Sequence, residues 1–301
     1  MKRIINIEGW LLVSHVVSIA FGLAGLLLVL PNPSFIANLP EFGQIAFRWS
    51  MAFGGVVYMI LGAAAVALYG YRSLGVWHCL TFAIPAIALS LTSELLGTST
   101  GFPFGHYHYL SGLGYKIADL VPFTIPLSWF YLGFSAYIIA RVGLERRQMP
   151  KWLSSLGAIV LGALLLTSWD FVLDPAMSQT DVPFWIWERA GAFFGMPYQN
   201  LAGWMGTGIL FMTVATLLWK LKPLTLDSTQ LALPLAIYLS NFVFAAVMCL
   251  GAGFYMPAFL GMLLGVIPVV LLYLMANSIP VDRLENNLQA KVRAASAGAR
   301  K

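Results

Sequence analysis

The chain has 301 residues, 59% of them hydrophobic and only 10% charged, with a net charge of +5. A soluble domain carries about 25% charged residues, so this composition describes an integral membrane protein with little room for a soluble domain. It also excludes nucleic acid as a partner, because a small basic excess in such a chain belongs to membrane topology. The two cysteines, Cys79 and Cys249, lie in apolar runs and read as core residues.

Met1-Lys2-Arg3 leads into a run from Trp10 to Leu30 that is long enough to span a bilayer. No small-x-small cleavage site follows, so an uncleaved first helix is expected. Seven further windows of comparable length follow at residues 49–69, 76–96, 120–140, 152–173, 201–219, 231–251 and 254–276. Only Gly251-Ala252-Gly253 separates the last two, and Pro31, Pro33, Pro40, Pro150, Pro175, Pro223 and Pro280 punctuate the ends. The predicted fold class is all-α: a polytopic membrane helix bundle of about eight spans over residues 1–280, then a polar tail over 281–301. Pro183-Phe184-Trp185-Ile186-Trp187-Glu188-Arg189 reads as the start of a short interfacial helix near 183–195, with Asp181 as its cap.

With eight spans and a cytoplasmic N-terminus, fourteen lysines and arginines fall on the cytoplasmic side. Only Arg48, Lys116 and Arg189 fall on the other. This asymmetry predicts that both termini are cytoplasmic. Loops 97–119 and 174–200 then lie opposite. They are the long ones, rich in Gly, Pro, His, Tyr and Trp, and seven acidic residues belong to that side or its helix ends: Glu41, Glu94, Asp119, Asp170, Asp174, Asp181 and Glu188. The site is expected there.

The densest polar segment runs from Ser93 to Tyr109. Glu94 sits near the end of the third span. A carboxyl with little water around it favours its neutral form, and a carboxylic acid kept neutral is a good general acid. The competing reading is a structural carboxylate hydrogen-bonded at the interface. Asp170 and Asp174 close the fifth span four residues apart, on one helix face about 6 Å apart along the axis, with Pro175 expected to stop the helix. Acids at a helix C-terminus oppose its macrodipole, which weakens a purely structural reading. His106 and His108 flank Tyr107. A His-x-His pair needs further ligands to hold a metal, so no metal site is expected, and a hydrogen-bonding or proton-relay role competes with plain loop polarity. Asn200 and Trp204 share a face if helical, and aromatic rings around an apolar pocket stabilise a cation. Asn241, inside the seventh span, reads as glue between helices. No phosphate loop or dinucleotide fingerprint is present. Asp170-x-x-x-Asp174 matches half of the aspartate-rich motif of membrane prenyltransferases, but the second motif is missing.

These blocks resemble the CruF-type carotenoid 1′,2′-hydratases of bacteria, which have haloarchaeal relatives. The resemblance rests on Glu94-x-x-Gly97 leading to Gly101-x-Pro103-Phe104-Gly105-x-Tyr107-x-Tyr109, on Asp174-Pro175, on Trp185-x-Trp187 and on Pro197-x-x-Asn200-x-x-Gly203-Trp204. The hydrophobic layout is similar over most of the chain. The resemblance implies a hydro-lyase without a cofactor that adds water across the terminal double bond of an acyclic carotene end. Its substrate would be γ-carotene or a lycopene-like carotene, in a bacterial inner or thylakoid membrane, with other carotenoid-biosynthesis enzymes as candidate partners. Such a reaction needs an acid to protonate C2′, a pocket of low dielectric for the cation at C1′, and a base to orient water. Glu94 is the expected acid, and Asp174 with Asp170 the expected base; exchanging the two is equally compatible with the sequence. Tyr107, Tyr109, His106 and His108 would complete the proton network, while Phe104, Trp187, Asn200 and Trp204 would line the pocket. The same carboxylates would also suit a proton-coupled small-molecule transporter or a carotene-binding protein without chemistry. The lack of an inverted repeat and the one-sided clustering of polar residues weigh against a transporter.

Overall fold

The computed structural model describes residues 2–147, 149–223 and 228–277. Eight of its helical segments are long and apolar enough to cross a membrane. Helix α1 (Lys2–Ala24) runs on through a π-helical turn at Gly25–Val29, and a short α2 (Pro33–Ala37) leads to α3 (Glu41–Leu74) and α4 (Val76–Thr100). Strands β1 (Tyr107–Tyr109), β2 (Lys116–Ile117) and β3 (Val121–Pro122) precede α5 (Thr124–Glu145) and α6 (Lys151–Ser178). Strand β4 (Trp185–Trp187) precedes α7 (Tyr198–Trp219), a 3₁₀ turn at Ser228–Leu231 and α8 (Ala232–Gly251). The final span, Tyr255–Asn277, is built from α9 (Tyr255–Gly261), a π-helical turn and α10 (Ile267–Asn277). The expected polytopic helix bundle is therefore what forms, and the Gly251-Ala252-Gly253 break does separate two spans. The tail expected over 281–301 lies outside the described residues.

Helix α5 is the centre of the bundle. From Thr124 to Gly143 every residue except Leu127 and Arg141 is buried, the signature of a helix surrounded by others. It packs against α3, α4, α6, α8 and α10. Between α1 and α3, Arg72 grips both carboxylate oxygens of Glu8 at 2.7 and 2.9 Å, the bidentate geometry that suits a guanidinium.

Two sequence expectations fail at the same end of the bundle. Residues 185–187 form no interfacial helix; they pair antiparallel with β1, in the register Tyr107↔Trp187, His108↔Ile186, Tyr109↔Trp185. The reason is the two-residue period of both segments. Tyr-His-Tyr and Trp-Ile-Trp each bury their outer pair and expose the middle residue, as a pleated strand requires. Pro175 does not stop α6 either. The helix runs on to Ser178, its last turn held by the Gln179 N–H on the Pro175 carbonyl at 3.1 Å and the Ser178 hydroxyl on Asp174 Oδ1 at 3.0 Å. Proline removes one intrahelical bond, and these contacts offset the loss.

Candidate functional site

The β1–β4 ribbon brings the two long loops together over the ends of α4, α6 and α7. It is tied to α6 by the Phe184 N–H on the Met177 carbonyl at 2.8 Å, and Leu110 N–H donates to the Phe184 carbonyl at 2.8 Å. The inward faces of the ribbon present Tyr107, Tyr109, Trp185 and Trp187 to the bundle, each less than a tenth exposed. Beneath it Phe104 acts as a wedge between α4 and α7. A Cβ at Gly97 would meet Phe104 at 2.7 Å, and one at Gly203 would collide with the same ring. Glycine at both positions is what lets Phe104 enter. That insertion seats the Tyr107 ring against Gly97, one turn after Glu94, with its hydroxyl on the carboxyl.

Glu94, only 3% exposed, is surrounded by donors. Tyr107 and Tyr109 hydroxyls both donate to Oε2, the latter at 2.9 Å, and the Trp129 indole N–H donates to Oε1 at 3.0 Å. Burial first, then the Glu94 carboxyl beside them, pushes both phenols well above their ordinary range, so they keep their protons and donate. Asp174 is enclosed in the same manner. Ser178 Oγ and Trp187 Nε1 donate to Oδ1 at 3.0 and 2.9 Å, and Trp185 Nε1 donates to Oδ2 at 3.0 Å. Asp170, one turn earlier and 1% exposed, accepts among the described residues only the Asn200 amide, at 2.7 Å on Oδ2.

All three carboxyls line one cavity of about 720 Å³, within the range of about 300–1,000 Å³ common for small-ligand sites. Tyr107, Tyr109, Trp187, Asn200, Trp204 and Phe104 line it as well. Trp204 stacks on Trp129 with ring centroids 4.0 Å apart and meets Trp169 edge-on at 5.9 Å, so the carboxyl end of the cavity is walled by π faces. The other end runs between α1 and α3, where Val17, Phe21, Trp49 and Phe53 line it and are exposed. On membrane-spanning helices those faces meet lipid.

Nine of the eleven side chains singled out from sequence therefore converge. The exceptions are His106 and His108, which are exposed and do not line the cavity. His108 occupies the outer face of β1, while the His106 ring packs over Gly101. Among the described residues no three His, Cys, Asp or Glu side chains are placed to share a metal ion. Trp129, Trp185 and Ser178 complete the donor set and were not singled out as site residues. Trp185 was detectable through its two-residue spacing from Trp187. Trp129 carries no signal, because a tryptophan in an apolar span reads as packing.

A family model described as carotenoid biosynthesis protein matches residues 54–268, a stretch that contains the three carboxyls and every side chain that donates to them. Bisanhydrobacterioruberin hydratase of Haloarcula japonica is 35% identical over 136 residues, covering 44% of this chain and 43% of that protein. The match thus spans less than half the length of that relative. No solved structure matches the chain. With most of its length matched, the carboxyl cluster included, the chain belongs to the carotenoid biosynthesis protein family.

Proposed function

We propose that the protein is a carotenoid hydratase that adds water across the terminal 1′,2′ double bond of an acyclic carotene end group, giving a tertiary alcohol. One observation carries this reading: three buried carboxyls converge at the aromatic-walled end of a cavity whose other end reaches the lipid-facing surface. A carotene is apolar along its length and dissolved in the bilayer. Only its end group would need to meet polar side chains. The name of the haloarchaeal relative agrees with water addition to a carotenoid.

The chemistry follows from the groups present. A carboxylic acid gives its proton to C2′, and the π pair becomes the new C–H bond. The positive charge left at C1′ is tertiary and faces the indoles of Trp187 and Trp204, whose π faces attract a cation. The fixed negative charge of the carboxyl cluster stabilises it further, acting in a site of low dielectric. A water molecule then bonds through oxygen to C1′ and surrenders a proton to a carboxylate. The sum is one water added, with no change of oxidation state.

The source of the added atoms tests the reading. Cells making a carotene with an acyclic end should accumulate its tertiary alcohol when this protein is expressed. Product formed in heavy water should carry one non-exchangeable deuterium at C2′, and oxygen-labelled water should label the hydroxyl. An unchanged pigment profile, or a hydroxyl oxygen drawn from O₂, would overturn the assignment.

A further inference from the structure

Resting on the hydratase reading, we infer that Asp170, rather than Glu94, is the group that holds the catalytic proton and delivers it to the double bond. The argument is a count of donors. Glu94 receives three hydrogen bonds, from Tyr107, Tyr109 and Trp129, and Asp174 receives three, from Ser178, Trp185 and Trp187. Indole N–H groups only donate, which makes Glu94 Oε1 and both oxygens of Asp174 acceptors, and at Glu94 Oε2 both tyrosine hydroxyls are donors. Both groups are built as acceptors, which is to say as carboxylates.

Asp170 differs on every point. Its Oδ2 accepts the Asn200 amide, its Oδ1 takes no hydrogen bond from any described residue, and the residue lines the cavity. It stands one helical turn before Asp174 on the same face of α6. Two neighbouring carboxyls in a water-poor site share a proton instead of both ionising. The proton resides on the member with fewer donors, and only Oδ1 of Asp170 has room for it.

This placement points an O–H bond into the cavity. Its proton passes to C2′ while the π electrons form the C–H bond, and water adds to C1′. The proton released by water passes to the aspartate pair, so Asp170 regains its proton and the pair ends as it began. Glu94, fixed by two phenols and an indole, supplies a standing negative charge for the cation.

Infrared spectroscopy of purified protein, in a detergent without ester carbonyls, reads the proton directly and needs no substrate. Protein with carboxyl-labelled aspartate should show, at neutral pH, an isotope-shifted C=O stretch of a protonated acid that moves in heavy water. The band should be absent from Asp170→Asn, and in Asp170→Glu it should move from the aspartate-labelled to the glutamate-labelled sample. Turnover of Asp170→Asn should fall at least about 100-fold while carotene still co-purifies. A protonated-acid band from labelled glutamate in the wild type, its survival in labelled Asp170→Asn, the absence of any such band, or near wild-type turnover of Asp170→Asn would each overturn the inference. If the wild type makes no hydrated carotenoid, the hydratase reading fails, and the spectra still report where the proton sits.

Discussion

Two of the buried polar networks among the described residues differ in a way that separates proposed chemistry from glue. In the first, Asn241 of α8 donates to Nε2 of His15 on α1 at 3.0 Å and to the Ile237 carbonyl at 2.8 Å, and accepts the Tyr131 hydroxyl of α5 at 3.1 Å. His15 Nδ1 lies 2.8 Å from the Tyr58 carbonyl of α3, which assigns the ring proton to Nδ1 and leaves Nε2 as the acceptor. Every donor meets an acceptor and no charge is involved. The second network gathers three carboxyls along one cavity, encloses two of them with donors and leaves one oxygen of the third without a hydrogen bond from any described residue. Both networks are buried, so burial alone does not mark a site. A surplus of acceptors beside an open volume does.

The largest effects should come from the second network. Glu94→Gln and Asp174→Asn should each lower turnover at least about 100-fold, the low end for a lost charge on the developing cation or a lost proton acceptor, measured as hydrated product per folded protein. Each amide keeps the shape and removes the charge. It also turns an N–H₂ group toward fixed donors, so part of the loss is misalignment of neighbouring rings. Near wild-type product from either variant would remove that carboxyl from the mechanism.

A smaller effect should follow from removing one donor at a time. Trp185→Phe deletes the single hydrogen bond to Asp174 Oδ2 and keeps an aromatic ring under the ribbon. A hydrogen bond to a charged group contributes about 1.5–3 kcal/mol, so turnover should drop by roughly tenfold or more, with little change in folded yield. Trp129→Phe tests Glu94 in the same way. If both variants match the wild type, the indoles are packing and the donor count loses its meaning.

Most of the bundle could be read in the sequence, because a spanning helix must satisfy its backbone internally and bury its surface in lipid or protein. All eight spans declare themselves by length and hydropathy. Glu94, Asp170, Asp174 and Asn241 stand out because polar groups are costly at membrane depth. What stayed hidden was contact between distant segments. The pairing of 107–109 with 185–187 is a long-range event, and a three-residue strand has too few alternations to announce itself against a tryptophan-rich interface. The hydrogen bond from Trp129 to Glu94 joins residues 35 positions apart, and no local pattern encodes it. The roles proposed for the three carboxyls were equally illegible, since they rest on how many donors each meets.

The first network should respond in stability and leave the chemistry alone. Asn241→Ala strands the Tyr131 hydroxyl and His15 Nε2, and an unsatisfied buried polar group costs about 1–3 kcal/mol. Thermal unfolding in detergent should shift downward by an amount of that order, while product per folded molecule stays close to the wild type. A selective loss of turnover at normal stability would make this network part of the site and erase the contrast.

The smallest effect is expected where sequence and structure disagree most. From the sequence His106 and His108 are candidates for a proton network, yet both are exposed and His108 points away on the outer face of β1. A proton relay needs partners within hydrogen-bond reach, and the carboxyls already receive theirs from Tyr107, Tyr109 and the indoles on the inner face. Exposed substitutions away from such contacts change stability by about 0.5 kcal/mol or less. His106→Ala and His108→Ala should therefore each keep turnover within about twofold of the wild type. A loss of tenfold or more in the double variant, with the ribbon intact as judged by folded yield, would show that the outer face of the strand communicates with the cavity. It would return both histidines to the proton network, although His108 sits on the outer face of β1 and His106 packs over Gly101.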